Sequence, residues 1–188
     1  SDAMLAAIIE FPAGGLHLEV GIQSFNSDVL TRISRHQNLR KTIKTIEILL
    51  TESGAEVHTD LIIGLPGDTW ESIAHSVNQL YQLRPHEIQL GILKRLKGAP
   101  IDRHSESFEM VYSPSAPYDI IQNATLTEQQ LTQLKRLIHY FEAIYHDKRF
   151  ENTLRLIENH YLSMFDFFIG LSTHFWSVFK RTHSLPLY

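Results

Sequence analysis

The chain has 188 residues, 43% of them hydrophobic, and a formal net charge of −4, since 17 Lys and Arg oppose 21 Asp and Glu. This composition suits a globular domain that can bury a core. No basic block or basic stripe interleaved with aromatic residues is present, so we expect no nucleic-acid partner. The chain has no cysteine, so its own residues can build neither a disulfide nor a thiolate-ligated iron–sulfur cluster.

No stretch reaches the roughly 20 uninterrupted apolar residues that a membrane span needs. The richest apolar run, residues 164–179, is broken by Asp166 and by the polar run 172–174. We recognise no signal peptide and therefore expect a cytoplasmic protein without a membrane partner. Residues 1–3, before Met4, resemble the remnant of a cleaved expression tag and are left out of the fold prediction.

Three predicted strands alternate with helical segments in the first half of the chain. Residues 16–24 alternate apolar and polar side chains, and 56–63 and 87–93 are two further β-branched, apolar runs. Apolar spacing predicts helices between the first two strands and from 73 to 81. Strands separated by about 30 to 40 residues are typical of consecutive βα units in a barrel or a doubly wound sheet.

The stretch from Glu56 to Glu71 organises this half of the chain. Its apolar run 61–63 predicts a parallel strand buried on both faces, followed by a turn that contains Gly64. Asp68 and Glu71 resemble a capping box at the start of the next helix. Ligands of α/β folds bind at this end of the strands.

The second half of the chain is predicted to be less regular and then helical. We place the α/β unit at residues 4–101 and an irregular connection at 102–125, with one short strand at 108–112. A capping box beginning at Thr127 opens a helical extension, 126–188, whose many aromatic side chains we expect to pack against the sheet or a partner.

Polar residues within apolar strands are the first candidates for a site, because a buried polar side chain needs a partner. Gln23 and Asp60 are such residues, although each could equally serve the local backbone. His17 with Glu19, and His58 with Asp60, have a spacing that could ligate a metal. No third or fourth ligand converges in sequence, so we favour ordinary hydrogen-bonded histidines and expect no metal site.

Two further interpretations remain open from the residues alone. Asp60 and Glu19 could form an acid/base pair if adjacent strands align them. Arg35 stands among polar residues, which is typical of a solvated arginine.

Three segments in a fixed order resemble one enzyme family. Glu-Val-Gly-Ile-Gln-Ser-Phe-Asn at 19–26, then Arg35, then Asp-Leu-Ile-Ile-Gly-Leu-Pro-Gly at 60–67 resemble the second half of the core of radical S-adenosylmethionine (radical SAM) enzymes. The later segments 90–98 and 116–119, with the aromatic helical tail, resemble the cobalamin-binding subgroup related to magnesium-protoporphyrin ester oxidative cyclases. That subgroup carries a C-terminal extension without an assigned function.

The resemblance implies a fold and a set of SAM contacts. The fold would be α/β, the C-terminal half of a partial (β/α)6 TIM-like barrel, with the three strands as its fourth, fifth and sixth, followed by a helix-rich extension. Arg35 would pair with the methionyl carboxylate of SAM, and Gln23 and Asp60 with ribose hydroxyls or the amino group. Three further contacts are implied less directly: the Glu19 side chain, and the backbone near Ile62 and Gly64 beside the adenine.

The chain also departs from the family pattern. It contains neither the three-cysteine loop that binds the [4Fe–4S] cluster nor an upstream cobalamin domain. We therefore expect a fragment of a parent that would cleave SAM reductively to a 5′-deoxyadenosyl radical, and we expect the fragment itself to be inactive. The first strand would lack its barrel neighbour, which predicts self-association through that strand edge.

Two rival interpretations come from other classes of protein. A non-enzymatic α/β interaction domain would leave Gln23, Arg35 and Asp60 as structural residues pointing in different directions. A TIM-barrel enzyme without iron would need eight βα units, and the chain is too short for them.

Overall fold

The computed structural model describes residues 2–183, which contain seven α-helices and five β-strands. In chain order these are α1 (Asp2–Ile9), β1 (His17–Gln23), α2 (Ser27–Arg32), α3 (Leu39–Glu52), β2 (Glu56–Ile63), α4 (Trp70–Leu83), β3 (Glu87–Ile92), β4 (Val111–Tyr112), β5 (Ile120–Gln122), α5 (Glu128–Tyr145), α6 (Glu151–Glu158) and α7 (Met164–Phe179). Within this part of the chain, no helix combines the length and the apolar character that crossing a membrane requires.

The three predicted strands form one parallel sheet in the order β1-β2-β3. Helices α2 and α3 connect β1 to β2, and α4 connects β2 to β3, so the first half of the chain consists of successive βα units. The register places Gly21 of β1 opposite Asp60 of β2, and Asp60 opposite Gln89 of β3.

The two faces of this sheet differ. In β2 the side chains of Val57, Thr59, Leu61 and Ile63 are buried, and the apolar ones join a core with residues of α3, α4 and α5. The intervening positions are only partly buried or exposed, including Ile62. The prediction that 61–63 would be buried on both faces is therefore wrong, because helices cover one face only.

We call the uncovered side of the sheet the open face. It carries the alternate residues of the three strands: His17, Glu19, Gly21, Glu56, His58, Asp60, Ile62, Glu87, Gln89 and Gly91. A parallel sheet covered by helices on one side is part of a barrel wall, whereas a doubly wound sheet has helices on both sides. The open face therefore corresponds to the inner side of a barrel.

A small antiparallel hairpin follows the sheet. β4 pairs with β5, and an isolated bridge joins Lys94 to Asp119. The predicted strand at 108–112 is reduced to the two residues of β4, and β5 had been assigned to an irregular connection. The hairpin lies at the carboxyl end of β2 and β3, since Ile120 N donates to the Leu93 carbonyl at 2.9 Å.

The C-terminal helices pack on the rest of the molecule through aromatic side chains. α5 begins with the capping box predicted at Thr127. Phe168 of α7 contacts Phe141 of α5, with ring centroids 4.7 Å apart, and Phe165 contacts Trp70 of α4 at 5.3 Å. Helix α7 thus packs on α5 within the extension and on α4 of the α/β unit.

Candidate functional site

Gln23, Arg35 and Asp60 meet at Gly21 on the open face. Gln23 Nε2 donates to Asp60 Oδ2 at 2.5 Å, and Arg35 Nη2 donates to the Gly21 carbonyl at 2.7 Å. A Cβ atom on Gly21 would lie 2.7 Å from Gln23 Nε2, 2.8 Å from Arg35 Nη2 and 3.3 Å from Asp60 Oδ1. These four residues form one polar group, which we call the Gly21 cluster.

A bulge at the end of β1 builds this cluster. The β1–β2 register shifts between Gly21 and Gln23, and Gln23 adopts a left-handed backbone with φ of 70°. A bulge bends its strand and redirects a side chain, here toward β2. Two side chains from the α2–α3 connection donate hydrogen bonds to carbonyl groups of the bulge. Arg35 donates to the Gly21 carbonyl, and Gln37 Nε2 donates to Ile22 O at 2.7 Å.

The sequence prediction did not include Gly21 or Gln37 as site residues. A signal for Gly21 existed, because a glycine inside a strand often marks a close approach by another group. No comparable signal existed for Gln37, since its contact depends on the path of the connection after β1.

The pKa of the Asp60 carboxyl group is raised above its ordinary value. Burial is the largest cause and the Glu19 charge acts in the same direction, while the Gln23 hydrogen bond and the Arg35 charge lower the pKa without offsetting the burial. Asp60 Oδ2 accepts from Gln23, whereas Oδ1 points over Gly21. A carboxylate can accept several hydrogen bonds, so Asp60 can also receive a donor from a ligand above Gly21.

Glu19 lies beside the cluster rather than within it. The register sets Glu19 opposite His58 and Gly21 opposite Asp60, so Glu19 and Asp60 are diagonal neighbours. The Glu19 side chain is exposed. Its negative charge acts on Asp60 through space. Among the contacts of residues 2–183, no hydrogen bond joins the two carboxyl groups.

Ile62 and Gly64 occupy different surroundings. Ile62 follows Asp60 on the open face, opposite Gly91. Gly64 has a φ of +94°, and a Cβ there would lie 2.7 Å from Ile120 Cγ2 of the hairpin. Its carbonyl accepts from Asn123 Nδ2 at 3.2 Å. Gly64 thus has a packing role, while Ile62 borders the cluster.

The loop after β2 contains a buried carboxyl group, Asp68, whose Oδ1 accepts a hydrogen bond from Ser72 Oγ. The Asp68 side chain is only 2% exposed, and burial raises its pKa to about 6 against the lowering effects of Ser72 and Arg32. Arg32 Nη1 donates to Pro66 O at 2.7 Å, and Thr125 Oγ1 donates to Asp68 O at 2.6 Å. The helix cap is Thr69 with Ser72, so the predicted box at Asp68 and Glu71 is wrong by one residue.

The Gly21 cluster offers a ligand both hydrogen-bond acceptors and hydrogen-bond donors. Asp60 supplies acceptor oxygens, and the Arg35 guanidinium carries donors beyond the one that Gly21 uses. The absence of a Cβ at Gly21 lets the Gln23 and Arg35 side chains lie close over the β1 backbone beside Asp60. This set suits a ligand such as SAM, whose amino acid end bears an ammonium and a carboxylate. No cysteine exists to ligate an iron–sulfur cluster.

One known protein family is similar to the C-terminal part of the chain. A family profile described as a protein of unknown function (DUF4080) matches residues 106–186. This match covers the hairpin and helices α5 to α7.

Curated proteins of haem metabolism are similar in sequence. The oxygen-independent coproporphyrinogen-III oxidase-like protein HemZ of Bacillus subtilis is 24% identical over 93 residues, which are 50% of this chain and 19% of that protein. The heme chaperone HemW of Haemophilus influenzae is 32% identical over 76 residues, 40% of this chain and 20% of HemW. HemW of Bacillus subtilis is 27% identical over 124 residues, 58% of this chain. The chain spans about a fifth to a third of these proteins.

A solved structure supports the assignment of the fold. Coproporphyrinogen III oxidase (HemN) from Escherichia coli, a radical SAM enzyme, superposes with a TM-score of 0.50 at 23% identity, over 68% of this chain and 26% of HemN. The α/β architecture and helical C-terminus described above therefore have a counterpart in part of a radical SAM barrel. The fold of this chain is that of the C-terminal half of such a barrel, and its sequence is similar to parts of coproporphyrinogen III oxidases and heme chaperones.

Proposed function

We propose that this chain is the part of a radical SAM enzyme that holds S-adenosylmethionine through Gln23, Arg35 and Asp60. The single observation that carries the proposal is the convergence of these three side chains over Gly21. In the rival interaction domain the three side chains would point in different directions, whereas here they converge on one uncovered sheet face.

Each residue has a distinct task in this proposal. Arg35 binds the methionyl carboxylate as a charge-assisted pair. Asp60 accepts from ribose hydroxyls or from the ammonium group, and Gln23 orients Asp60 through their hydrogen bond. Glu19 adds negative charge that favours the ammonium group. Ile62 offers an apolar surface next to Asp60 on the same face, where the adenine would lie.

The radical chemistry needs a group that this chain cannot hold alone. In radical SAM enzymes a [4Fe–4S] cluster supplies the electron that cleaves SAM to a 5′-deoxyadenosyl radical. Three cysteines hold such a cluster in the family, and this chain has none. The cluster ligands are therefore contributed from outside these 188 residues, and the chain alone does not cleave SAM.

The relatives support SAM binding more than they support any one substrate. Proteins named as coproporphyrinogen III oxidases and proteins named as heme chaperones match the same chain. Because their names describe different roles, what they share here is better explained by the common cofactor than by a common substrate.

We further propose that the parent enzyme binds cobalamin. This proposal rests on the resemblance of segments 90–98 and 116–119 to the cobalamin-binding subgroup. Measurement of the cobalt and corrinoid content of the parent tests it, and a parent without corrinoid after expression in the presence of cobalamin limits the proposal to SAM and the cluster.

A titration of the chain with SAM, followed by nuclear magnetic resonance of 15N-labelled amides, tests the binding site. We expect shifts concentrated at residues 19–23 and 60–62. Asp60→Ala should weaken binding about 10- to 100-fold, the range for a hydrogen bond to a charged group. The matched control is His160→Ala at an exposed position between α6 and α7, which should bind as the unaltered chain does. Scattered shifts, or binding unaffected by Asp60→Ala, would contradict the proposal.

A further inference from the structure

A second group of ionisable side chains lies at the amino-terminal end of the open face. His17 Nε2 lies 2.9 Å from His58 Nδ1, and their rings meet edge to face with centroids 3.8 Å apart. His17 Nδ1 lies 3.4 Å from Glu56 Oε2, and His58 Nδ1 lies 3.5 Å from Glu87 Oε2. We call these four residues the histidine cluster.

The sheet register explains why these residues meet. His17 is opposite Glu56 in the β1–β2 pair, and His58 is opposite Glu87 in the β2–β3 pair. Glu56 and His58 are two residues apart on β2, so both project from the same face. The cluster therefore spans all three strands on rigid backbone rather than on a loop.

We propose that His17, Glu56 and His58 bind a divalent transition-metal ion such as Zn²⁺, with Glu87 as the nearest further ligand. One ligand atom from each of the first three residues can be chosen so that all lie within 4.8 Å of one another. Ligands about 2.1 Å from a tetrahedral Zn²⁺ lie roughly 3.4 Å apart, so small side-chain rotations bring the cluster to this geometry. Mixed imidazole and carboxylate ligands favour Zn²⁺ over Mg²⁺ or Ca²⁺.

The local charge also favours a cation. Glu56 and Glu87 flank the two histidines, and Glu19 lies opposite His58 in the register. Three carboxylates thus surround the two imidazoles and repel one another. A bound divalent cation would relieve this repulsion and would tie β1 to β2.

This site lies next to the Gly21 cluster. His17 and Gly21 are about 13 Å apart along β1, and His58 and Asp60 are about 7 Å apart along β2. The metal proposal does not depend on SAM binding. The sequence analysis paired His17 with Glu19 and His58 with Asp60, whereas the structure places Glu56 next to His17 and Glu87 next to His58.

Titration of the chelator-treated chain, free of any polyhistidine tag, with Zn²⁺ against a chromophoric chelator tests the inference. We expect one Zn²⁺ per chain and a higher melting temperature with the ion. His17→Ala and His58→Ala should each weaken affinity at least tenfold. His17 and Glu56 are 54% and 57% exposed in their side chains, so changes there spare the core. His160→Ala is the matched control and should leave affinity unchanged.

Two further readouts separate a built site from adventitious binding. Co²⁺ in place of Zn²⁺ should give the intense visible absorption of a four-coordinate ion, and Glu56→Gln should reduce it. Zn²⁺ affinity should fall as the pH is lowered, because protons compete with the metal ion for the ligand atoms. Absence of stoichiometric binding, or binding that survives His17→Ala and His58→Ala together, would show that the histidines form only a hydrogen-bonded pair.

Discussion

At the scale of single residues, Asp68 shows how burial changes the behaviour of a carboxyl group. Burial raises the pKa of Asp68 from 3.8 to about 6 in the folded chain. The folded state therefore binds this proton more tightly than the unfolded state does. The ionised carboxylate costs stability above pH 6, and this cost disappears as the pH falls toward 3.8, the value for the unfolded chain.

We predict that Asp68→Asn stabilises the chain at pH 8 by up to about 3 kcal/mol, since each pKa unit corresponds to about 1.4 kcal/mol. The gain should be small near pH 4, where Asp68 is protonated in the folded state. Urea unfolding at both pH values measures this difference. Glu106→Gln, which removes a charge from an exposed side chain, is the control. An equal effect of Asp68→Asn at both pH values would contradict the prediction.

Three of the four residues in the Gly21 cluster were identified from the sequence. Gln23 and Asp60 could be selected because polar side chains in apolar strands need partners, and Arg35 was added by the resemblance to radical SAM enzymes. A glycine inside β1 indicated a close approach at Gly21, but the sequence did not show that Gln23 turns toward Asp60. The support from Gln37 could not be predicted, because it depends on the path of the connection after β1.

At the scale of elements, the hairpin is held against the end of β2 through Gly64. The Gly64 carbonyl accepts from Asn123, and Ile120 occupies the space where a Cβ would stand. This contact joins the part that matches DUF4080 to the sheet that carries the Gly21 cluster.

We predict that Gly64→Ala destabilises the chain by about 2 to 4 kcal/mol, through a left-handed backbone and overpacking against Ile120. Gly98→Ala separates the two effects, because Gly98 also has a positive φ, +79°, but has open space around its Cβ position. That variant should lose only about 1 to 2 kcal/mol. Denaturant unfolding of both variants measures the difference, and equal losses would show that packing against the hairpin contributes nothing.

Element prediction succeeded where patterns were long. The three strands of the sheet and the cap of α5 followed from periodicity and from Thr127 with Gln130. The hairpin did not, because strands of two and three residues are too short to show an alternation. The buried face of β2 was also overestimated, since three consecutive apolar residues do not reveal which faces a neighbouring layer covers.

At the scale of the whole molecule, β1 forms one edge of the three-stranded sheet in the part of the chain that the structure describes. An uncovered strand edge presents backbone groups to a second chain. We predict concentration-dependent self-association through this edge. Sedimentation velocity over a concentration series measures it, and a single monomeric species throughout would contradict the prediction.

We infer that the Gly21 cluster holds SAM in a radical SAM enzyme. The most direct test is 5′-deoxyadenosine release by the anaerobically purified parent protein after addition of SAM and dithionite. Unaltered protein, Asp60→Ala and the control His160→Ala are compared at equal iron and sulfide content and equal melting temperature. We predict release by the unaltered protein and the control, and at least a tenfold loss in Asp60→Ala. Undiminished release in Asp60→Ala, or a parent without a cluster and without release, would contradict the account.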